Sequence, residues 1–128
     1  MKESVEQAQI MLDLSNDPAI RVFRNNTGTG WQGVVYERTP TRLTLVNPRP
    51  LHAGLCIGSS DLIGWKSIEV TPDMVGKNIA IFVAIEVKAK KGVTSDAQKN
   101  FIDRVKAAGG RAGIARNTID AINILNGE

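Results

Sequence analysis

Cysteine and histidine each occur once in this 128-residue sequence, as Cys56 and His52. One cysteine excludes an internal disulfide framework and fits a reducing compartment. Standing in Leu55-Cys56-Ile57, it reads as a small buried hydrophobe. The two residues together are too few to build a zinc site. His52 falls in a proline-rich stretch, Asn47-Pro48-Arg49-Pro50-Leu51-His52, and reads as a surface residue. No apolar run is long enough to span a membrane. Met1 leads into a polar helix without a signal pattern, so the expected location is the cytoplasm. Internal repeats, linkers and low-complexity segments are also missing.

What is present is ordinary globular composition, 42% hydrophobic and 23% charged, in a length that suits a single domain over residues 1–128. The net charge of +3 is modest but unevenly placed. Between Lys88 and Arg116, eight basic residues (Lys88, Lys90, Lys91, Lys99, Arg104, Lys106, Arg111, Arg116) stand against two acids, Asp96 and Asp103. Such a stretch suits a polyanionic partner, nucleic acid first among them, or a solvated helix face.

Along the chain, Glu3 to about Ser15 predicts a helix with Val5, Ala8 and Leu12 on its apolar side, ended by Asn16-Asp17-Pro18. Glu3 and Gln7, four apart, share a face of it. Arg21–Asn25 reads as a short strand running into Gly28, Gly30 and Gly33, which satisfy the dinucleotide spacing G-x-G-x-x-G. That spacing binds a pyrophosphate only if a helix opens at the third glycine. Val34-Val35-Tyr36 follows instead, so the dinucleotide reading fails and the glycines are expected to form a flexible loop. Residues 33–38 and 42–46 predict a hairpin around Thr39-Pro40-Thr41, and residues 47–58 a loop. Residues 61–70 are strand-like and 71–77 a turn. Thr94 or Ser95 caps a second helix to about Ala108, with Gln98 in its first turn, able to point back toward Glu86. A strand over 111–116 and a helix over 118–125 complete an α/β order with a mixed central sheet flanked by helices.

The strongest signal is Asn78 to Gly92. Ile79–Val87 is nearly all apolar and rich in β-branched residues, which predicts a central strand covered on both faces. Glu86 and Lys88 sit at its end, two apart, and therefore on one face. An acid and a base there form either a structural ion pair or a divalent-metal ligand with an ammonium aimed at a reacting anion. A hairpin symmetric about Asp73 and Met74 sets Asp61 opposite Glu86, where two carboxylates need a proton or cation between them.

Ser60-Asp61 followed by Glu86-Val87-Lys88 resembles the layout of the PD-(D/E)xK nuclease superfamily. Its surroundings, G-S-S-D-L-I-G, A-I-E-V-K-A-K-K-G-V-T-S-D-A-Q-K-N-F-I and G-G-R-A-G-I-A-R, are similar to the VRR-NUC branch, and E-S-V-E-Q and V-F-R-N-N to its small stand-alone phage and bacterial forms. The likeness runs from Glu3 to about Arg116; one departure is that no proline precedes Asp61.

The resemblance implies a restriction-endonuclease-like fold and a metal-dependent DNA endonuclease in a bacterial or phage-infected cell. Asp61 and Glu86, with the Val87 carbonyl and a first-helix acid (Glu3, or its neighbour Glu6), would hold Mg²⁺ or Mn²⁺. Lys88 would orient the attacking water and stabilise charge on the phosphate, with Gln98 as the family's helix glutamine. Charge and position mark Arg24, Asn25, Lys90 and Lys91 for DNA contacts. The expected substrate is branched DNA, a Holliday junction or flap, and the expected assembly a homodimer. The alternatives are a DNA-binding module that keeps the fold without cutting, and a metal-dependent enzyme on small phosphates.

Overall fold

A computed structural model of the chain describes residues 3–128. Its elements are α1 (Glu3–Leu14), β1 (Ile20–Arg24), β2 (Gly28–Arg38), β3 (Leu43–Ala53), β4 (Leu62–Lys66), a 3₁₀ turn (Pro72–Met74), β5 (Val83–Val87), α2 (Asp96–Ala107), β6 (Arg111–Ala115) and α3 (Thr118–Leu125). The class is mixed α/β, with three helices. In place of one central sheet, the strands form three two-stranded sheets, β1–β4, β2–β3 and β5–β6. The chain divides into two compact units: residues up to Arg21 together with Gly64–Glu128, and Val22–Ile63.

In the larger unit, β5 and β6 run parallel, with Val83 opposite Arg111 and Glu86 opposite Ile114. Both α2 and α3 pack on this pair. Small residues in and just before β6 make that approach possible. A Cβ on Gly113 would stand 2.9 Å from the Ile124 side chain, and one on Gly110 would stand 2.7 Å from Val105. Val105, Ala112, Ala115 and Ile124 are accordingly the buried apolar residues. Trp65 and Phe82 add a tilted ring pair with centroids 4.9 Å apart.

The predicted boundaries of α2, β6 and α3 agree with the structure, because each is marked by a cap or glycine pair. Ser95 caps α2 and Asn117 caps α3 through their side chains. β5, however, is shorter than the apolar run and is not covered on both faces. Val83, Ile85 and Val87 are exposed, while Ala84, Glu86 and Lys88 between them are half-buried. With β6 as its one strand partner, β5 keeps a covered and an uncovered side. The expected hairpin that set Asp61 opposite Glu86 is likewise absent, since β4 pairs with β1 and β5 with β6. The Pro72–Met74 turn separates β4 from β5 without pairing them. In α1 the covered row is Gln7, Met11 and Leu14, not Val5 and Leu12, which are exposed.

The smaller unit is a long ribbon. β2 and β3, each of 11 residues, pair antiparallel from Gly28–Ala53 to Arg38–Leu43. The expected tip at Thr39-Pro40-Thr41 holds, closed by Thr39 N–H donating to the Arg42 carbonyl at 2.9 Å. The glycines expected in a loop are strand residues instead, and so is the whole proline-rich stretch, residues 47–52. Trp31 pairs with Pro50, which a ribbon permits because alternate N–H groups face away from the partner. The register shifts after Gln32, and Asn47 takes φ 52° there. A Cβ on Gly33 at that bulge would meet the Val46 carbonyl at 2.8 Å. Cys56 is exposed rather than buried. Its segment is a turn, in which the Ser59 hydroxyl donates to the Cys56 carbonyl at 2.7 Å.

Candidate active site

Glu86 and Lys88 emerge on one side of β5, as the strand alternation requires. The Lys88 N–H extends the ladder by donating to the Ala115 carbonyl at 3.0 Å, which holds Lys88 to the sheet after the strand ends. Its ammonium lies 3.3 Å from Glu86 Oε1, with both side chains half-buried.

The third member arrives from α2. Ser95 Oγ accepts from the Gln98 N–H at 3.1 Å, and Gln98 Oε1 accepts from the Ser95 N–H at 3.0 Å. This reciprocal capping box fixes the Gln98 amide, whose Nε2 donates to Glu86 Oε1 at 2.7 Å. Ala84, Ile85, Ala97, Phe101 and Ile102 line an apolar recess around the two polar residues. Such surroundings strengthen the polar contacts within them. Glu86 Oε1 thus receives both an ammonium and an amide.

Of the residues expected from sequence, Glu86, Lys88 and Gln98 are therefore brought together. Val87 lies between the first two, paired with Ala115. Glu3 and Glu6 are exposed in the first turn of α1. Lys90 and Lys91 are exposed in the turn after β5, where the Gly92 N–H donates to the Ala89 carbonyl at 2.8 Å. No group of three or more His, Cys, Asp or Glu side chains poised for a metal ion occurs among the described residues.

Asp61, exposed, begins the approach to β4 in the smaller unit. Its carbonyl accepts from the Asn25 N–H at 2.8 Å. The Asn25 side chain is a local organiser: Nδ2 donates to Ser59 Oγ at 2.7 Å and the Ser60 carbonyl at 2.9 Å, while Oδ1 accepts from the Leu55 N–H at 3.0 Å. Arg24 next to it is exposed. This bracing by Asn25 is not evident from composition or periodicity. An asparagine directly after a strand was its one local signal, because such a side chain readily bonds backbone in a turn.

No helix among the described residues is long and apolar enough to cross a membrane. No curated protein and no solved structure matches the chain. A family model for the VRR-NUC domain matches residues 15–118, a span that contains Asp61, Glu86, Lys88 and Gln98. The chain belongs to the VRR-NUC family of nuclease domains, which act on DNA.

Proposed function

We propose that the chain is a metal-dependent DNA endonuclease of restriction-endonuclease-like fold, one domain over residues 1–128, with Glu86, Lys88 and Gln98 at its centre. The observation that carries this reading is the convergence of an ammonium and a helix-cap amide on one carboxylate oxygen at the end of β5. A lone structural ion pair needs no amide held in place by a capping box.

The donor chemistry suits Mg²⁺ or Mn²⁺, which prefer oxygen ligands. Both side-chain contacts described for Glu86 fall on Oε1, and Oε2 is the oxygen proposed to face the cation. Glu86 and the Val87 carbonyl are the proposed ligands in the larger unit. Asp61 and the α1 acid Glu3 (or Glu6) are proposed as further ligands on their sequence motif alone. The cation would polarise the phosphate and supply an activated water. Gln98 keeps the Glu86 carboxylate in one orientation, and Lys88 places a positive charge where the phosphate gains negative charge during attack. Lys90 and Lys91, with Arg24 from the smaller unit, are proposed phosphate contacts. Asn25 belongs with them as a brace of its own loop.

We further infer that the preferred substrate is branched DNA and the active assembly a homodimer. The uncovered side of β5 (Val83, Ile85, Val87) and the exposed Trp31, Val35 and Tyr36 of the ribbon support a protein partner, since large exposed apolar patches mark interaction surfaces. The test is cleavage of duplex, flap and four-way DNA with Mg²⁺ or Mn²⁺, for the parent and for Glu86→Ala. Metal-dependent cutting by the parent and none by the variant is the expected result. Cutting by Glu86→Ala at the parent rate places the site elsewhere. Tight, salt-sensitive binding by the parent without cutting on any substrate favours the non-cleaving module.

A further inference from the structure

The turn after β5 is held by the side chain of the residue that follows β6, at the same end of the parallel pair. Arg116 sends its guanidinium into residues 89–92: one terminal nitrogen donates to the Ala89 carbonyl and to the Lys90 carbonyl at 3.3 Å, the other to the Gly92 carbonyl at 3.0 Å. Three carbonyls of one turn therefore converge on one planar group, reached from two separate nitrogens of the guanidinium fork, whereas the three donors of a lysine ammonium all lie on one nitrogen. Arg116 is itself fixed, because its N–H donates to Asp120 Oδ2 at 2.9 Å and the Asp120 N–H donates to the α3 cap Asn117 at 2.8 Å.

The turn is tight on its other side as well. A Cβ on Gly92 would stand 3.3 Å from the Lys88 Cβ and 3.2 Å from the Ala89 carbonyl oxygen. The turn thus leaves little room for a side chain at Gly92 beside Lys88, and it is joined to Lys88 directly through Ala89. A continuous set of contacts runs from the first turn of α3 through Asp120, Arg116 and the turn to Lys88.

We propose that Arg116 is a positioning residue for the nuclease reaction, acting through the Ala89–Gly92 turn to hold Lys88 against Glu86. This inference rests on the reading of Glu86 and Lys88 as the reacting site. A displacement of about 1 Å in a group at the chemistry can cost roughly 10²-fold in rate. Arg116→Ala releases three carbonyls to water at the surface, which is a small loss for folding and a large one for geometry.

The experiment compares single-turnover cleavage by the full chain and by Arg116→Ala, Arg116→Lys, Lys88→Ala and the double variant, with DNA affinity and melting temperature measured on each. Arg116→Ala should lower the rate constant by about tenfold or more, with a far smaller change in DNA affinity. The two losses should not multiply, since Arg116 acts through Lys88 and a double-mutant cycle exposes shared action. Arg116→Lys should recover little, and methylguanidinium added to Arg116→Ala should restore part of the rate. A parent-like rate constant in Arg116→Ala, or losses that multiply in the double variant, overturns the role of Arg116 and leaves the site standing. Parent-like cleavage by Lys88→Ala overturns the site reading and this inference together.

Discussion

Gln98 Nε2 stands 2.7 Å from Glu86 Oε1, and the same side chain closes the capping box with Ser95 at the start of α2. One amide thus both caps the helix and binds the strand-end carboxylate. Its carbonyl oxygen is engaged by the Ser95 N–H, so its nitrogen can only face outward, toward β5. The cap chooses which end of the amide meets Glu86.

Ser95→Ala therefore tests more than a helix end. Loss of an N-cap hydroxyl costs roughly 0.5–2 kcal/mol. The expected outcome is a lowered melting temperature together with a cleavage rate that falls in the remaining folded protein, because Gln98 is no longer fixed. Gln98→Ala should show the larger rate effect of the two. Thermal denaturation alongside initial cleavage rates separates the contributions, and a Gln98→Ala variant with parent activity would falsify the role given to the amide.

Lys88→Ala should reduce cleavage by about 10²–10³, the usual cost of losing one oriented charge at a developing oxyanion. DNA binding and the melting temperature should change little. A partly exposed ion pair contributes only about 0–1 kcal/mol to stability, so a purely structural Lys88 would leave the rate of the folded fraction untouched. Rate and melting temperature measured on one preparation decide between them.

The local parts of the site were legible in the sequence, and the long-range parts were not. Glu86 and Lys88 share a face because strand alternation is a local rule, and Gln98 reaches them because a capped helix has a fixed first turn. The pairing of β5 is a non-local fact. The hairpin symmetric about Asp73 and Met74 was available to β4 and β5, yet β5 pairs in parallel with β6 through a crossover containing α2. Periodicity cannot tell one partner strand from another. The ribbon shows the opposite error, in which glycine and proline were read as loop signals. In a two-stranded ribbon with a bulge at Gly33 and Asn47, those residues fit into strands.

Charge and position mark Asn25 for a phosphate contact, and its hydrogen bonds point to another outcome for its removal. Asn25→Ala deprives Leu55, Ser59 and Ser60 of a shared partner in the segment leading to Asp61. Leu55 and Ser60 are exposed and their freed groups meet water, so the loss is about 0.5–1.5 kcal/mol for each hydrogen bond. The variant should lose stability, and cleavage with it, while DNA affinity of the folded protein stays near the parent value. A steep loss of affinity with an unchanged melting temperature would return Asn25 to the DNA surface. Asp61→Ala, by contrast, should abolish metal-dependent cutting with little change in stability, since the Asp61 contact to Asn25 is made by its main chain.

Assembly gives the last prediction. Val83, Ile85 and Val87 are 46%, 36% and 75% exposed along one side of β5, and Trp31 and Tyr36 of the ribbon are 66% and 75% exposed. Among the described residues four apolar ones, Val105, Ala112, Ala115 and Ile124, are buried. A chain of this length normally buries more, so association with a second copy is the expected way to cover these surfaces. The protein should sediment as a dimer at micromolar concentration, and Val83→Lys together with Ile85→Lys should shift it to monomer or aggregate. On a four-way junction a two-fold dimer should cut in symmetric pairs, because two equivalent sites face two equivalent strands. The basic residues between Lys88 and Arg116 should make binding weaken steeply as salt rises. Equilibrium sedimentation and cut mapping on all four arms provide the check. A monomeric mass with cuts on one strand only removes the paired-cutting reading and leaves a nuclease that trims one strand at a time.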